Sequence, residues 1–406
     1  MARLYLSPPY MGGNELKYVN EAFEQNWIAP LGPNVDGFEA AMKQRIGCGE
    51  ALAVDSGTAA MHLALRYLGV GRGDYVFCSS FTFIGSMTPI MYLGAEPVFI
   101  DSEAETWNMS PAALRRALEW AKRQNRLPKA VIIVDLYGHP ANYFELLPVC
   151  REYGVPVVED AAEALGAEYH VRPCGKTEAC GVAKACGYYK PCGTFGIYNV
   201  LSFNGNKIIT TSGGGMVLTD DKPARDKMLF WATQARDNAL HYEHTEYGYN
   251  YRMSNVVAGI GRGQMEVLDK KLEIRRGIYE RYIDLLDGTR YRVKRDAADA
   301  KPNHWLNAAE VDGADIDKVE DIVRFMNAHD IETRPAWKPL HMQPVFADAP
   351  AFSEQGGGSW PDEDINAFTC AGLFRRGICL PSGDAMTAEQ QENVCRLLKE
   401  ALQPSP

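Results

Sequence analysis

The first two thirds of the chain repeat one unit: a short apolar run, a turn of small residues, then a stretch with helical periodicity. ALAVDSG leads into TAAMHLALRYLG, DYVFCSS into FIGSMTPIMYLG and AVIIVDLYG into YFELLPVCREYG, and VPVVEDAA closes the series. Unbroken apolar runs of this length suit strands buried on both faces, and a helix between consecutive strands is what a parallel crossover needs. The expected fold class is therefore α/β, with a mainly parallel sheet covered by helices on both sides.

Near Asn250 the pattern changes. MSNVVAGIGRGQMEVLDKKLEIRRGIYERYIDLLDG reads as one long amphipathic helical region, capped by Ser254, that bridges two domains. Beyond it NHWLNAAEVDG and IETRPAW read as strands, DKVEDIVRFMNAHD and TAEQQENVCRLLKEALQ as helices, and residues 347–362 as loop. The expected division is a large domain over residues 1–262 and a smaller α+β domain over 263–406. A chain of 406 residues, 46% of them hydrophobic, has enough apolar surface for both cores. No apolar run reaches the ~18 residues a membrane span needs, and the N-terminal segment lacks a signal-peptide core, so the expected location is cytoplasmic with no membrane partner. A net charge of −10, with basic residues scattered, argues against a nucleic-acid partner.

Three segments carry chemistry. Val157-Val158-Glu159-Asp160-Ala161-Ala162 is an apolar strand ending in carboxylates, and open α/β sheets bind ligands at the carboxyl ends of their strands. Asp160 suits a pyridine cofactor, whose ring nitrogen it would keep protonated, and it equally suits the N-cap of a helix starting at AAEALG. In the second segment Lys207 follows Ser202-Phe203-Asn204-Gly205-Asn206 and precedes IITTSGGGMVLTD, expected as a strand, a glycine turn and a strand. Glycines at that density imply backbone pressed close to a neighbour; a partly desolvated lysine there would be a good imine-forming nucleophile, and an ordinary solvated turn lysine is the other reading. The third, Asp55-Ser56-Gly57-Thr58-Ala59-Ala60, is a strand-to-helix turn whose free N–H groups suit a phosphate, or an ordinary capped helix start.

Taken in order, the Ser-Gly-Thr-Ala-Ala turn, FTFIGS, EDAAEA, SFNGNK with its GGGM tail, and GYNYRMS resemble the DegT-type nucleotide-sugar aminotransferases. The resemblance runs from about Leu6 to the C-terminal helix. Through LSPPYMGGNELKYV, NWIAPLGP, TQARDN, YGYNYRMSN, ETRPAWKPLHMQPVF and GICLPSGDAMT it is nearest to the 4-aminotransferases of the UDP-N-acetylbacillosamine pathway. It implies a pyridoxal 5′-phosphate (PLP) enzyme of fold type I, like aspartate aminotransferase, working as a homodimer with active sites at the subunit boundary. Lys207 then matches the lysine that binds the cofactor covalently, and Asp160 the partner of the ring nitrogen. Phe83 matches the residue stacked on the ring, Gly57, Thr58 and Ser202 the phosphate cradle, and Glu163 a position near the phenolic oxygen. Asn250 matches the phosphate contact lent by the neighbouring subunit. The implied reaction takes the amino group of L-glutamate, passes through pyridoxamine phosphate and delivers it to C4 of a UDP-linked 4-keto-6-deoxy-N-acetylhexosamine, yielding the 4-amino-4,6-dideoxy sugar for surface glycans or glycoproteins. Asn26, Trp27 and Pro30 are candidates for sugar contact, with Trp27 equally readable as core.

The chain departs from that pattern in residues 170–193, a longer loop in which Cys174, Cys180, Cys186 and Cys192 each precede a glycine at six-residue intervals. Four thiols offer a Zn²⁺ or iron–sulfur site, but the close C-x₂₋₄-C pairing of zinc knuckles is absent, and an exposed loop of reduced cysteines explains them without a metal. The alternative function is a PLP- or pyridoxamine-phosphate-dependent sugar dehydratase with a cluster in this loop. DegT-type dehydratases resemble the chain but carry His where Lys207 stands. The remaining six cysteines are read as buried structural thiols.

Overall fold

The computed structural model describes residues 3–171, 188–354 and 364–403. Its strands in chain order are β1 Glu50–Val54, β2 Tyr75–Ser79, β3 Glu96–Ile100, β4 Ala130–Val134, β5 Val157–Asp160, β6 Glu168–Val171, β7 Tyr188–Pro191, β8 Tyr198–Ser202 and β9 Gly215–Thr219. They continue with β10 Tyr291–Val293, β11 Ala300–Lys301, β12 Asn307–Val311, β13 Arg334–Pro335, β14 Ala351–Phe352 and β15 Gly377–Leu380. Among the described residues β1-β9-β8-β5-β4-β2-β3-β14 form one eight-stranded sheet. Every pairing from β8 to β14 is parallel, and only β9, between β1 and β8, runs against its neighbours. The α/β fold expected from the alternating runs is thus the fold observed.

The apolar runs explain the layering. β2 and β4 are buried at every position, so each side chain must enter a core whichever face it points to. One core lies on the face carrying Phe77, Val131 and Ile133, the other on the face carrying Val76, Ile132 and Val158. A third core, with Ile278, Tyr282, Val319, Ile378 and Leu398, belongs to a separate sheet of order β10-β12-β15-β13.

Four expectations are corrected. The region after Ser254 is two helices, Asn255–Glu266 and Leu268–Leu286, with non-helical backbone at Val267 (φ −113°, ψ 7°). The first packs a glycine face tightly: a Cβ on Gly263 would lie 2.4 Å from the Glu15 nitrogen. The second turns Ile278 and Tyr282 into the third core, so a break lets each half face its own partners. Ser254 does cap the first, accepting from the Val256 N–H.

Ile208–Thr211 is not a strand. Thr210 Oγ1 and the Thr211 N–H both donate to the Phe203 carbonyl, folding the segment back on itself, and β9 pairs with β8 instead. Residues 347–362, expected as loop, contribute β14, which extends the sheet beside β3. Residues 161–166 form no helix, so Asp160 is not a helix cap.

Candidate active site

The turn after β1 is built for an anion. Ser56 caps the helix Gly57–Tyr67 by accepting from the Ala59 N–H at 3.1 Å, which leaves first-turn N–H groups without intrahelical acceptors. A Cβ on Gly215 would lie 2.3 Å from the Ser56 carbonyl carbon, so only glycine lets β9 pass this turn. Of the glycines after Lys207, Gly215 serves the close approach to the turn, while Gly214 lies against Thr211 and Met253.

Asp160 ends β5 and is buried. Burial pushes its carboxyl up, while bonds from Ser86 and the Ala162 N–H and the charge of Lys207 pull it back. A carboxylate held dry in this way gains from a cation placed beside it. Glu163, also buried, accepts from the Tyr137 N–H at 2.6 Å and lies 3.4 Å from Lys207 Nζ. Burial pushes Glu163 up to about 7 against the pull of Lys207 and of the Tyr137 N–H. Its donor is fixed by strain: Tyr137 has φ 57°, an uncommon conformation for a bulky residue. Next to it Gly138 (φ 86°) admits no Cβ, because the Asn303 side chain fills that space.

Lys207 lies between β8 and β9, its side chain 11% exposed. It meets Gly57, Thr58, Phe83, Asp160, Glu163 and Ser202 around one cavity of about 300 Å³. Seven of the candidate residues named from the sequence thus converge. The capped helix end, the dry carboxylate and the amine fit a phosphorylated pyridine aldehyde: anion, ring cation and carbonyl each find a complementary group.

The other candidates stand elsewhere. Asn250 is exposed on a loop bridged to Thr233 and does not line the cavity. Asn26, Trp27 and Pro30 are exposed on the segment between the helices Glu15–Glu24 and Pro33–Ile46, also outside it. Trp27 is 40% exposed, which corrects the reading of it as core.

Sequence reasoning passed over Ser86, Asn206, Trp305 and Trp337, all of which line the cavity. Ser86 stands in the FTFIGS segment and Trp305 and Trp337 in two segments read only as strands, so the available signal was their residue type and not their position. Trp337 comes to 5.8 Å from the Phe83 ring, and Trp305 covers Lys207.

Of the four spaced cysteines, Cys174, Cys180 and Cys186 lie outside the described residues. Cys192 is fully buried, contrary to the expectation of an exposed loop, because the Cys192 N–H bonds the Ala167 carbonyl beneath the sheet. Its thiol sits with the carboxyls of Asp135 and Glu159 within 4.8 Å in the core opposite the Asp160 face. Burial raises all three groups, so they hold protons more tightly than in water. The other six cysteines are free and buried or half-buried, as expected.

Comparison with known proteins places this geometry. EpsN of Bacillus subtilis (strain 168), named for a pyridoxal phosphate-dependent aminotransferase, is 50% identical over 399 residues, 98% of this chain and 95% of its own. The GDP-perosamine synthase of Escherichia coli O157:H7 is 32% identical over 392 residues, 97% of this chain and 96% of its own. Among solved structures, the aminotransferase Spr1654 of Streptococcus pneumoniae in its PMP form shares the fold, with a TM-score of 0.84, 22% identity, and coverage of 98% of this chain and 97% of that one. Residues 9–399 match the profile of one family, and the chain belongs to it: the DegT/DnrJ/EryC1/StrS aminotransferases.

Proposed function

We propose that this chain moves the amino group of L-glutamate to C4 of a UDP-linked 4-keto-6-deoxy-N-acetylhexosamine, giving the UDP-4-amino-4,6-dideoxy sugar and 2-oxoglutarate. Its coarser part, a PLP-dependent aminotransferase acting on a sugar, rests on family membership and on the relatives above. The observation that carries the cofactor chemistry is the convergence of Lys207, Asp160 and the Ser56-capped helix end on one cavity, while the donor and the UDP sugar follow the family resemblance.

PLP, when bound, supplies an aldehyde for a primary amine and a protonated ring that takes up electron density from the substrate. The chain's own groups do the remainder. Lys207 would offer the amine that the aldehyde takes up and, once free, would carry the proton to and from the donor Cα. Asp160 would keep the proton on the ring nitrogen. The N–H groups of Gly57 and Thr58 and the Ser202 hydroxyl would hold the phosphate, with Asn250 of a second copy completing the cradle. Phe83 would cover the ring, and Glu163 would stand by its phenolic oxygen.

A homodimer is supported by exposed apolar side chains, Phe83 at the cavity and Tyr92, Leu240 and Tyr247 elsewhere, which a second copy would cover. A groove of about 710 Å³ adjoins the cavity through Asn206, Trp305 and Trp337, and it carries Arg334 and Lys338. Arg334 is paired with Glu332, which lines the same groove, at 2.9 Å, and Lys338 beside the aromatic side chains suits a nucleoside diphosphate. Asn26, Trp27 and Pro30 are retained as sugar contacts for the site across the dimer boundary.

A GDP-linked 4-keto sugar is the second reading, favoured by three GDP-perosamine synthases at 32–33% identity. The test incubates the protein with PLP, glutamate and a panel of UDP- and GDP-4-keto sugars and reads product mass. The proposal expects a UDP-linked amino sugar and its loss in Lys207→Ala. A GDP-linked product alone would select the second reading, and no amino sugar from any substrate would reject both.

A further inference from the structure

Lys207 must leave the cofactor during each half-reaction and return to it, and the proposed reaction does not say where the freed amine rests. Two groups meet its Nζ in this structure. Glu163 Oε1 lies at 3.4 Å, and the centre of the Trp305 ring lies at 4.0 Å. Trp305 comes from the C-terminal third of the chain, just before β12, and is 1% exposed.

Its ring is fixed from several directions. The indole N–H donates to the carbonyl of Asn206, the residue before Lys207, at 2.5 Å. The Trp305 N–H bonds Asn303 Oδ1, and Asn303 Nδ2 in turn donates to the Glu163 carbonyl at 2.7 Å. The Trp305 carbonyl accepts from Arg275, which is paired with Asp384, and Asp384 also holds Lys271 at 2.8 Å. The backbone of Trp305 is thus anchored on both sides, and the indole cannot swing away from the lysine without breaking its own bond to the Asn206 carbonyl.

We infer that Trp305 and Glu163 form a two-walled resting place for the Lys207 side chain whenever it carries no covalent bond to the cofactor, with Trp305 acting as a positioning residue. The indole face attracts an ammonium, and the attraction grows as both groups are desolvated. Glu163 adds charge on the other side once it is ionised, which its burial delays to about pH 7. The freed amine is thus held within reach of the atoms it must protonate, and is not lost to solvent.

This inference rests on the proposed role of Lys207, so the test separates the two. Cofactor-free protein is treated briefly with acetic anhydride at pH 8, and acetylation of Lys207 is read by peptide mass spectrometry in wild type, Trp305→Leu and Trp305→Phe. Removing the ring face destabilises the ammonium, so Lys207 in Trp305→Leu should be acetylated several-fold faster, with Trp305→Phe between it and wild type. Circular dichroism and the acetylation of Lys271, which the account leaves unchanged, report any general loosening of the fold. The cofactor-loaded Trp305→Leu protein should still form the covalent Lys207 bond but turn over more slowly, chiefly through kcat. Equal Lys207 acetylation in all three folded proteins overturns the resting place while leaving the function intact. Failure of Lys207 to bind PLP in the wild type overturns the function itself.

Discussion

Glu163 changes charge in the range where an enzyme of this kind works, because burial lifts its carboxyl to about 7 beside Lys207 and Asp160. Below that pH it is neutral, and above it an anion. Glu163→Gln should flatten the pH dependence of kcat/KM between pH 6 and 8; a profile unchanged from wild type would remove Glu163 from the site's proton balance. The sign for stability follows from the raised value: the fold binds the proton more tightly than the unfolded chain. That contribution is complete below about 4.5 and is lost as pH rises through 7, so the variant should lose less stability than wild type over that interval. Asp160→Asn keeps the shape but not the charge, and should cost on the order of 10²–10³-fold in kcat with the protein still folded; near-normal turnover would deny it the ring nitrogen. At this scale the sequence was legible where a motif was contiguous. EDAAEA and SFNGNK gave Asp160, Glu163 and Lys207, whereas Trp305 and Trp337 reach the cavity only through the folding of distant segments.

Among the elements, β2 and β4 were readable because burial on both faces leaves few polar positions to blur the pattern, and β5 because its apolar start runs into two buried carboxylates. The break at Val267 was not, because the sequence stays amphipathic through it and only the demands of two separate cores divide it. β14 escaped because two residues paired with β3 carry no periodicity of their own. The contact between β9 and the Ser56 turn was legible only as an unusual run of glycines. Gly215→Ala tests that contact: the added carbon must displace backbone, so overpacking should cost about 1–3 kcal/mol in chemical denaturation and weaken PLP binding measured by absorbance. A variant with wild-type stability and affinity would show that the turn is not held by close approach.

For the whole molecule, the account expects each active site to combine Lys207 of one protomer with Asn250 of the other. Lys207→Ala and Asn250→Ala homodimers should each be impaired. Mixed by unfolding and refolding together, they should recover activity approaching about a quarter of wild type, since half the dimers are hybrids with one intact site of two. No recovery, with hybrid dimers demonstrated by mass, would place Asn250 within its own protomer's site or outside any. The fold class was legible at this scale because strand–helix alternation fixes a parallel sheet, but the relation between subunits was carried only by the family resemblance.

Everything rests on Lys207 being the amine that meets the cofactor in the cavity it shares with Asp160. The direct measurement is to load the protein with PLP, reduce it with borohydride and map the modified peptide by mass spectrometry. The account predicts one stable phosphopyridoxyl group per chain, on Lys207. Modification at another lysine, or none at saturating PLP, would contradict it.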